Sequence, residues 1–209
     1  MAERRFHIML RTALLLALLA AAGGCVKEED VLPSQQGSIE SFLTGTHSPR
    51  LVSEQEAEES SVPVEFYVTF GPSVYRYIRH YYDEERAARP EVEIGDEVEL
   101  IFWAYLFQNR AITGQTMPLL TNDVTLREAL MDAGLNTTYW SFEPLKARVG
   151  DNALIRGVQL ALPGCRERDT VEVYMAYDMA YGDAPLGTVP EESAVAFFYT
   201  IDSVRKSNE

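Results

Sequence analysis

The strongest constraint on the fold is the segment Glu97 to Phe107, which alternates as an extended chain does. Successive side chains of a β-strand point to opposite faces, so the apolar residues at every second position from Val98 to Leu106 share one face. From Leu100 onward the intervening residues are apolar as well. Because apolar residues on both faces are typical of a strand buried on both sides, this segment is predicted to be a central strand.

The rest of the pattern consists of short strands with few helices. Val74 to Arg79 is open to two readings, a strand with tyrosines on one face, which its aromatic content favours, or a helix with an apolar stripe. Thr125 and Glu128 have the spacing of a capping box, and Gly134 follows as a stop, which predicts a short helix over residues 126–133. This pattern favours an α+β domain. Further strands are predicted at Val64–Phe70, Trp140–Lys146, Thr170–Tyr177 and Ala194–Val204, with a turn at Gln108–Arg110 that returns into Ala111–Thr113.

The first 25 residues have the organisation of a lipoprotein export signal. A positive end with three arginines precedes and overlaps an apolar run from Ile8 to Ala22, which is too short to cross a bilayer. Small residues at 22–24 lead directly into Cys25 and resemble a lipobox, whose cysteine is acylated after cleavage. Residues 1–24 are therefore expected to be removed and Cys25 to carry lipid. An ordinary signal peptide with a chance cysteine is the alternative.

The segment 25–62 is polar and acidic, and it is predicted to be a flexible tether because it has too little apolar surface to offset the entropy of ordering. Its residues 27–30 resemble the acidic signal that sends some lipoproteins of the Bacteroidota type to the cell surface, although a solvated charge run is an equally good reading. The expected location is the outer membrane of the cell envelope, on its periplasmic face or at the cell surface. Residues 63–209 remain for one domain.

Composition narrows the class of function. The chain has 18 basic and 32 acidic residues and a net charge of −14, which argues against nucleic-acid binding. Its cysteines are Cys25 and Cys165, so lipidation of the first leaves no intramolecular disulfide. No carboxylate or thiol joins His7, His47 or His80 at ligand spacing, and no metal site is expected.

The C-terminal half carries five short motifs in a characteristic order. They are a turn into a short helix at 154–162, a charged turn at 166–169, a strand at 171–175, Ala-Tyr-Gly at 180–182, and a segment from Val189-Pro190 through 194–201. In this order they resemble the FKBP-type peptidyl-prolyl isomerase family, over about residues 73–206. The resemblance implies an antiparallel half-barrel wrapped around one short helix, with a groove between them for an X-Pro peptide.

The same resemblance implies which residues form the site. The backbone amide of Ile155 would bind a substrate carbonyl, the Tyr181 hydroxyl would donate a second hydrogen bond, and Phe197 would form a wall of the proline pocket. Resonance gives the prolyl amide a rotation barrier of about 18–20 kcal/mol. An apolar pocket that favours the twisted amide lowers this barrier, so no cofactor or metal is required. The substrate-binding positions implied are Leu154, Val158, Phe102, Ile112, Thr113 and Val189.

The chain departs from the family at three of these positions. Val158 stands where the family has Trp, Thr113 where it has Asp, and Phe102 where it has a strand Tyr. A one-residue slip of register would bring Trp103 into play instead of Phe102 and face it the other way. An insertion at about residues 114–140 lies next to the groove in the family's layout, so it would cover or lengthen the groove unless it is a surface loop without a role.

Three functions follow from these observations. The first is a lipid-anchored peptidyl-prolyl isomerase that assists the folding of exported proteins, with proline-containing peptides or unfolded exported proteins as its partners and the membrane reached through the lipid. The second is a catalytically weak or inactive FKBP-like chaperone or binding module of an envelope assembly, which the departures at Val158 and Thr113 favour. The third, a surface glycan-binding lipoprotein, rests only on the localisation signal and the abundant tyrosines.

Overall fold

The computed structural model describes residues 30–134, 136–138, 140–187 and 189–207. The expected signal peptide 1–24 and the lipid-bearing Cys25 lie outside these described residues. Within them, no helix is both long enough and apolar enough to cross a membrane. The fold is α+β, with one open, mostly antiparallel sheet and a few short helices, which confirms the predicted class.

Eight strands form the sheet, and four short α-helices accompany them in the described part of the chain. A π-helical turn at Phe42–Thr46 continues α1. Short 3-10 turns occupy Arg86–Ala88, Val124–Leu126 and Tyr177–Met179. The helices are α1 Val31–Ser41, α2 Glu54–Glu59, α3 Arg127–Asp132 and α4 Arg156–Ala161. The strands are β1 Val52–Ser53, β2 Phe66–Thr69, β3 Val74–Ile78, β4 Glu97–Leu106, β5 Leu120–Thr121, β6 Leu145–Arg148, β7 Thr170–Met175 and β8 Val195–Arg205.

The strand order is β1-β2-β3-β7-β8-β4-β5, and β6 pairs with β4 beside β5. Only the β1–β2 pair is parallel among the described strands. β4 is central, as predicted, because it pairs along its length with β8 and on its other side with β5 and β6. The strand reading of Val74 to Arg79 is also confirmed, since β3 pairs with both β2 and β7.

The first face of the sheet packs on α4. Its core includes Val158 and Ala161 of the helix, which are completely buried, together with alternate residues of β7 and β8. Gly157 permits the close approach: a Cβ at this position would lie 2.7 Å from Met175 Sδ and 3.1 Å from the Met179 carbonyl. A side chain there would require the Met175 side chain and the loop that carries the Met179 carbonyl to move.

The opposite face of the sheet is covered by the N-terminal segment, which corrects the expectation of a flexible tether over residues 25–62. Ile39, Phe42, Leu43 and Leu51 are at most 2 % exposed and pack on the tyrosines of β2, β3 and β7. The apolar residues of this segment are few, but α1 and the π-helical turn place them on one side. We call residues 31–53 the N-terminal strap.

Three smaller predictions differ from the structure in part. The strand expected at Trp140–Lys146 begins only at Leu145, directly after Pro144, whose missing N–H excludes it from a ladder. Residues 111–113, into which the turn at Gln108–Arg110 was expected to return, form no strand; Thr116 N donates to the Thr113 carbonyl in a further turn. The short helix expected over 126–133 is confirmed at Arg127–Asp132, but without the capping box, since Asp123 caps the 3-10 turn that precedes it.

A buried polar cluster fastens the strap to the sheet. Glu172 on β7 is 3 % exposed. Its carboxylate lies 3.0 Å from His47 Nε2 of the strap, accepts the Tyr174 hydroxyl at 2.6 Å and pairs with Arg79 at 2.6 Å. The other ring nitrogen of His47, Nδ1, lies 2.5 Å from the Pro49 carbonyl. Both ring nitrogens of His47 therefore face an oxygen of the cluster or of the strap backbone.

The pKa of Glu172 reflects this cluster. Burial alone would raise it, but the hydrogen bonds from His47 and Tyr174 and the charge of Arg79 outweigh burial and lower it below the usual 4.5. A carboxyl whose pKa is lower in the folded state stabilises the fold at pH values above its unfolded pKa. That contribution is lost as the pH falls through the folded pKa.

We predict that Glu172→Gln lowers the free energy of unfolding at pH 7 by about 3 kcal/mol, since it breaks a buried ion pair. The difference from wild type should shrink as the pH falls below about 4.5, and it should be lost once the pH has passed the lowered pKa of the folded state, where the wild-type carboxyl also loses its charge. Chemical denaturation at several pH values measures both effects. Glu97→Gln, which removes exposed ion pairs, should cost no more than about 1 kcal/mol. Equal behaviour of the two variants would contradict the prediction.

Candidate functional site

The N-terminal end of α4 presents a free backbone donor. Ile155 is the residue before the helix, and its own carbonyl accepts the Gln159 amide at 3.1 Å. Its amide donates no hydrogen bond within the described part of the chain. Leu154 and Ile155 are half-buried and pack against the core around α4. The Ile155 N–H is therefore a donor available to a ligand in apolar surroundings.

Tyr181 follows the 3-10 turn that ends at Met179. The turn is closed by the Gly182 amide, which donates to the Tyr177 carbonyl at 2.9 Å. Because Gly157 brings α4 against the Met179 carbonyl, this loop and the start of α4 are neighbours. Tyr181 packs against the same core as Ile155. Its hydroxyl makes no hydrogen bond with any residue that the structure describes, and burial raises its pKa, which keeps it protonated as a donor.

Phe197 lies under a second aromatic ring. It is paired with Ala104 across the β4–β8 ladder, and the ring of Phe102 stacks on it with centroids 5.0 Å apart and an angle of 14°. Phe197 is 5 % exposed and Val158 is 0 % exposed. Phe102 is thus the accessible ring of the pair, while Trp103 faces the other side of the sheet and donates to Asp123 at 3.1 Å.

The insertion supplies a wall beside Phe102. A concave region with a cavity volume of about 530 Å³ opens there. We call it the Phe102 groove, and its lining includes Phe102, Thr121, Asn122, Trp140, Pro144 and Leu145. Part of the predicted insertion 114–140 therefore forms one wall of a groove that includes Phe102.

Asn122 holds this wall in place. Its Oδ1 accepts the Phe102 amide at 2.8 Å, and its Nδ2 donates to the carbonyls of Leu100 at 2.8 Å and Glu143 at 3.0 Å. The side chain is 3 % exposed. The Asn122 side chain thus joins the backbone of β4 at Leu100 and Phe102 to the backbone of Glu143. It thereby fixes the position of Phe102 relative to the groove wall.

Three expected substrate-binding residues do not join this site. Ile112 packs against the core under the N-terminal strap, on the opposite face of the sheet. Thr113 is exposed, and its amide donates to Thr116 Oγ1 at 3.0 Å. Val189 is buried in a tight loop closed by paired hydrogen bonds with Leu186, and it is not part of the core around α4 among the described residues.

The comparisons with known proteins bear on the segment that carries these donors. Residues 124–201, 78 of the 209 residues, match the family model of FKBP-type peptidyl-prolyl cis-trans isomerases. Over these residues the chain is similar to an FKBP-type domain. The matched segment includes Ile155, Tyr181 and Phe197, whereas Phe102 and the N-terminal strap lie before it.

A solved structure also resembles the chain. The crystal structure of the three FKBP domains of wheat FKBP73 aligns with a TM-score of 0.47 and 14 % identity, over 68 % of this chain and 50 % of that one. The chain therefore spans about half the length of that structure. No curated protein matches the chain.

Sequence reasoning missed Asn122 and Trp140 as residues of the Phe102 groove. Asn122 follows Leu119, Leu120 and Thr121 in the sequence. An asparagine in this context is equally typical of a turn. Trp140 was assigned to a strand. Both reach the groove through the path of a loop, which no periodic pattern specifies.

We predict that Asn122→Ala lowers the free energy of unfolding by about 1–3 kcal/mol, because it leaves buried backbone groups of Leu100 and Phe102 without a partner. Denaturant titration measures the loss. Asn152→Ala, at an exposed position without a side-chain hydrogen bond in the described part of the chain, should stay within about 0.5 kcal/mol of wild type. A loss no larger than that of the control would mean that Asn122 does not hold the groove wall.

Proposed function

We propose that this chain is a peptidyl-prolyl cis-trans isomerase, anchored by lipid to the outer membrane of the cell envelope, that assists the folding of exported proteins. The observation that supports it most directly concerns two hydrogen-bond donors, the Ile155 amide and the Tyr181 hydroxyl. They lie on adjoining segments above one apolar core, and neither donates to a described residue. FKBP-type domains bind proline-containing peptides, and the Phe102 groove leaves room for residues that flank the proline.

Prolyl isomerisation requires only rotation about one amide bond, and no covalent bond is formed or broken. Twisting the prolyl amide removes its resonance, so the transition state is favoured by surroundings that strip water from the amide and place a few donors correctly. Ile155 and Tyr181 would hold the substrate backbone, and Phe102 with Phe197 would supply the apolar surface. Every group needed is part of the chain's own backbone or side chains.

One observation favours the second candidate, an FKBP-like binding module with weak or no catalysis. The ring of Phe102 stacks on Phe197, which is 5 % exposed, and Val158 is 0 % exposed. A proline ring that must reach Phe197 would first have to displace Phe102. A module that only holds peptides along the Phe102 groove would not need that movement.

We predict that the full chain accelerates cis-to-trans relaxation of a short X-Pro peptide and that Tyr181→Phe lowers kcat/KM by about threefold to tenfold, the effect of one lost hydrogen bond. A protease-free assay that follows the relaxation directly provides the measurement. Tyr177→Phe, four residues earlier in the same loop, is the matched control and should leave the rate unchanged.

Absence of any acceleration by the wild type would reject the isomerase and leave the binding module. In that case, proline-containing peptides should still bind along the Phe102 groove. Equal effects of Tyr181→Phe and Tyr177→Phe on an active chain would reject the role given to the Tyr181 hydroxyl.

The anchor at Cys25 would hold the domain close to its membrane. The ordered strap begins at Val31, so only residues 26–30 separate it from the lipid-bearing cysteine. Even fully extended, this length spans at most about 20 Å. The proposed isomerase would therefore act on chains near the membrane surface, and several acyl chains would keep it there.

We predict that cells expressing the wild type incorporate labelled palmitate into this chain and retain it in the membrane fraction, whereas Cys25→Ala abolishes both. Fractionation followed by detection of the label provides the test. Cys165→Ala serves as the control, since Cys165 is buried in the domain and should not be acylated. Labelling that persists in Cys25→Ala would refute the anchor without bearing on isomerase activity.

A further inference from the structure

Arg76 is a buried cation that the proposed isomerase site does not use. It lies in the middle of β3, is 9 % exposed, and faces the same side of the sheet as α4. None of the ion pairs in the described part of the chain includes it. A buried charge is costly unless it is paired or fully hydrogen-bonded, so its contacts need an explanation.

One nitrogen of its guanidinium has a structural role. Nη1 donates to the carbonyls of Ala161 at 2.8 Å and Pro163 at 2.6 Å, at the C-terminal end of α4. The ring of Phe70 lies 4.9 Å from Cζ and covers one face. Through these contacts Arg76 satisfies the carbonyls at the C-terminal end of α4. The rest of its guanidinium makes no part of this contact.

The other edge of the guanidinium has no partner. Nε is buried without a hydrogen bond, and Nη2 donates to no residue that the structure describes. Nε and Nη2 form one of the edges with which arginine binds a carboxylate through two parallel hydrogen bonds. This edge of the guanidinium therefore has hydrogen-bonding capacity that no described residue uses.

A small cavity lies beside Arg76. Its volume is about 270 Å³, and Phe66, Val68, Ile78 and Tyr81 form the apolar part of its wall. Val68 is directly opposite Arg76 in the β2–β3 register, so both side chains lie on the same face of the sheet. We call this space the Arg76 cavity.

The other arginines of the cavity wall are already neutralised. Asp169 accepts Arg86 Nε at 3.0 Å and Nη2 at 2.8 Å, and Arg166 pairs with Glu91 at 2.5 Å. Glu54 also lines the cavity, but it is exposed and forms no ion pair with Arg76 among the described residues. Among the arginines of this wall, Arg76 is thus the one without a carboxylate partner in the described part of the chain.

We propose that the Arg76 cavity binds a small organic carboxylate with an apolar body. The carboxylate lies against Nε and Nη2 of Arg76, and the body contacts Phe66, Val68 and Ile78. Binding completes the hydrogen bonds of the guanidinium and neutralises its charge. The site is separate from the Ile155 and Tyr181 donors, so it stands independently of the proposed isomerase activity.

The test titrates the full chain with benzoate, which has an aromatic body and a carboxylate, and with benzamide, its uncharged analogue. Calorimetry gives the affinity, and the Nε–H resonance of Arg76 in ¹⁵N-arginine-labelled protein reports the site. Benzamide is expected to bind at least about tenfold more weakly, because it cannot form the charge-assisted bidentate pair. Inorganic phosphate should also bind more weakly, since it makes no apolar contact.

Two variants locate the site. Val68→Phe fills the cavity while leaving Arg76 itself in place and should lower benzoate affinity at least about tenfold. Arg76→Lys should do the same through loss of the bidentate edge, and Arg79→Lys, an arginine on the opposite face, should bind as wild type does. If Arg76→Lys fails to fold, the benzoate affinity of Val68→Phe tests the location of the site.

Equal affinities for benzoate and benzamide, unchanged binding in folded Val68→Phe, or an Arg76 Nε–H resonance that does not move would each overturn the proposal. Phosphate binding as tight as benzoate would overturn the assignment of an apolar body.

Discussion

Burial of both faces of the sheet is the constraint on which the rest of this structure depends. β3 is buried along its whole length, and β7 along all but its first residue. A sheet of this kind needs a layer on each side, because its apolar side chains alternate between the faces. The short helix α4 covers one face, and the N-terminal strap covers the other with Phe42 packed against Phe107 and Tyr174.

The strap also reaches the functional loop. Gln35 of α1 accepts the amide of Tyr177 at 2.9 Å, at the start of the 3-10 turn that precedes Tyr181. Its Nε2 donates to the Glu192 carbonyl at 2.7 Å. Through these contacts, the layer on the far face helps to position the loop that carries the proposed catalytic hydroxyl. Removal of the strap would therefore affect both the sheet and the site.

The buried polar groups on the two faces of the sheet differ in whether they have partners. On the strap side, Glu172 satisfies His47, Tyr174 and Arg79, so the cluster is closed on itself. On the α4 side, the Tyr181 hydroxyl and the Ile155 amide lack partners among the described residues, and Arg76 uses only part of its guanidinium. Buried polar groups normally find partners inside the protein, so donors left open point to ligands.

The sequence by itself determined the α+β class, the central position of β4, the strand β3 and the motifs that matched an FKBP-type domain, because these depend on alternation and short-range spacing. The tertiary structure alone decided that residues 31–53 form a layer, since the four buried side chains there are buried only by packing against the tyrosines of β2, β3 and β7. It also decided that Ile112 leaves the groove and that Asn122 enters it. Loop paths and the pairing of distant faces depend on contacts far apart in the chain, which no local pattern encodes.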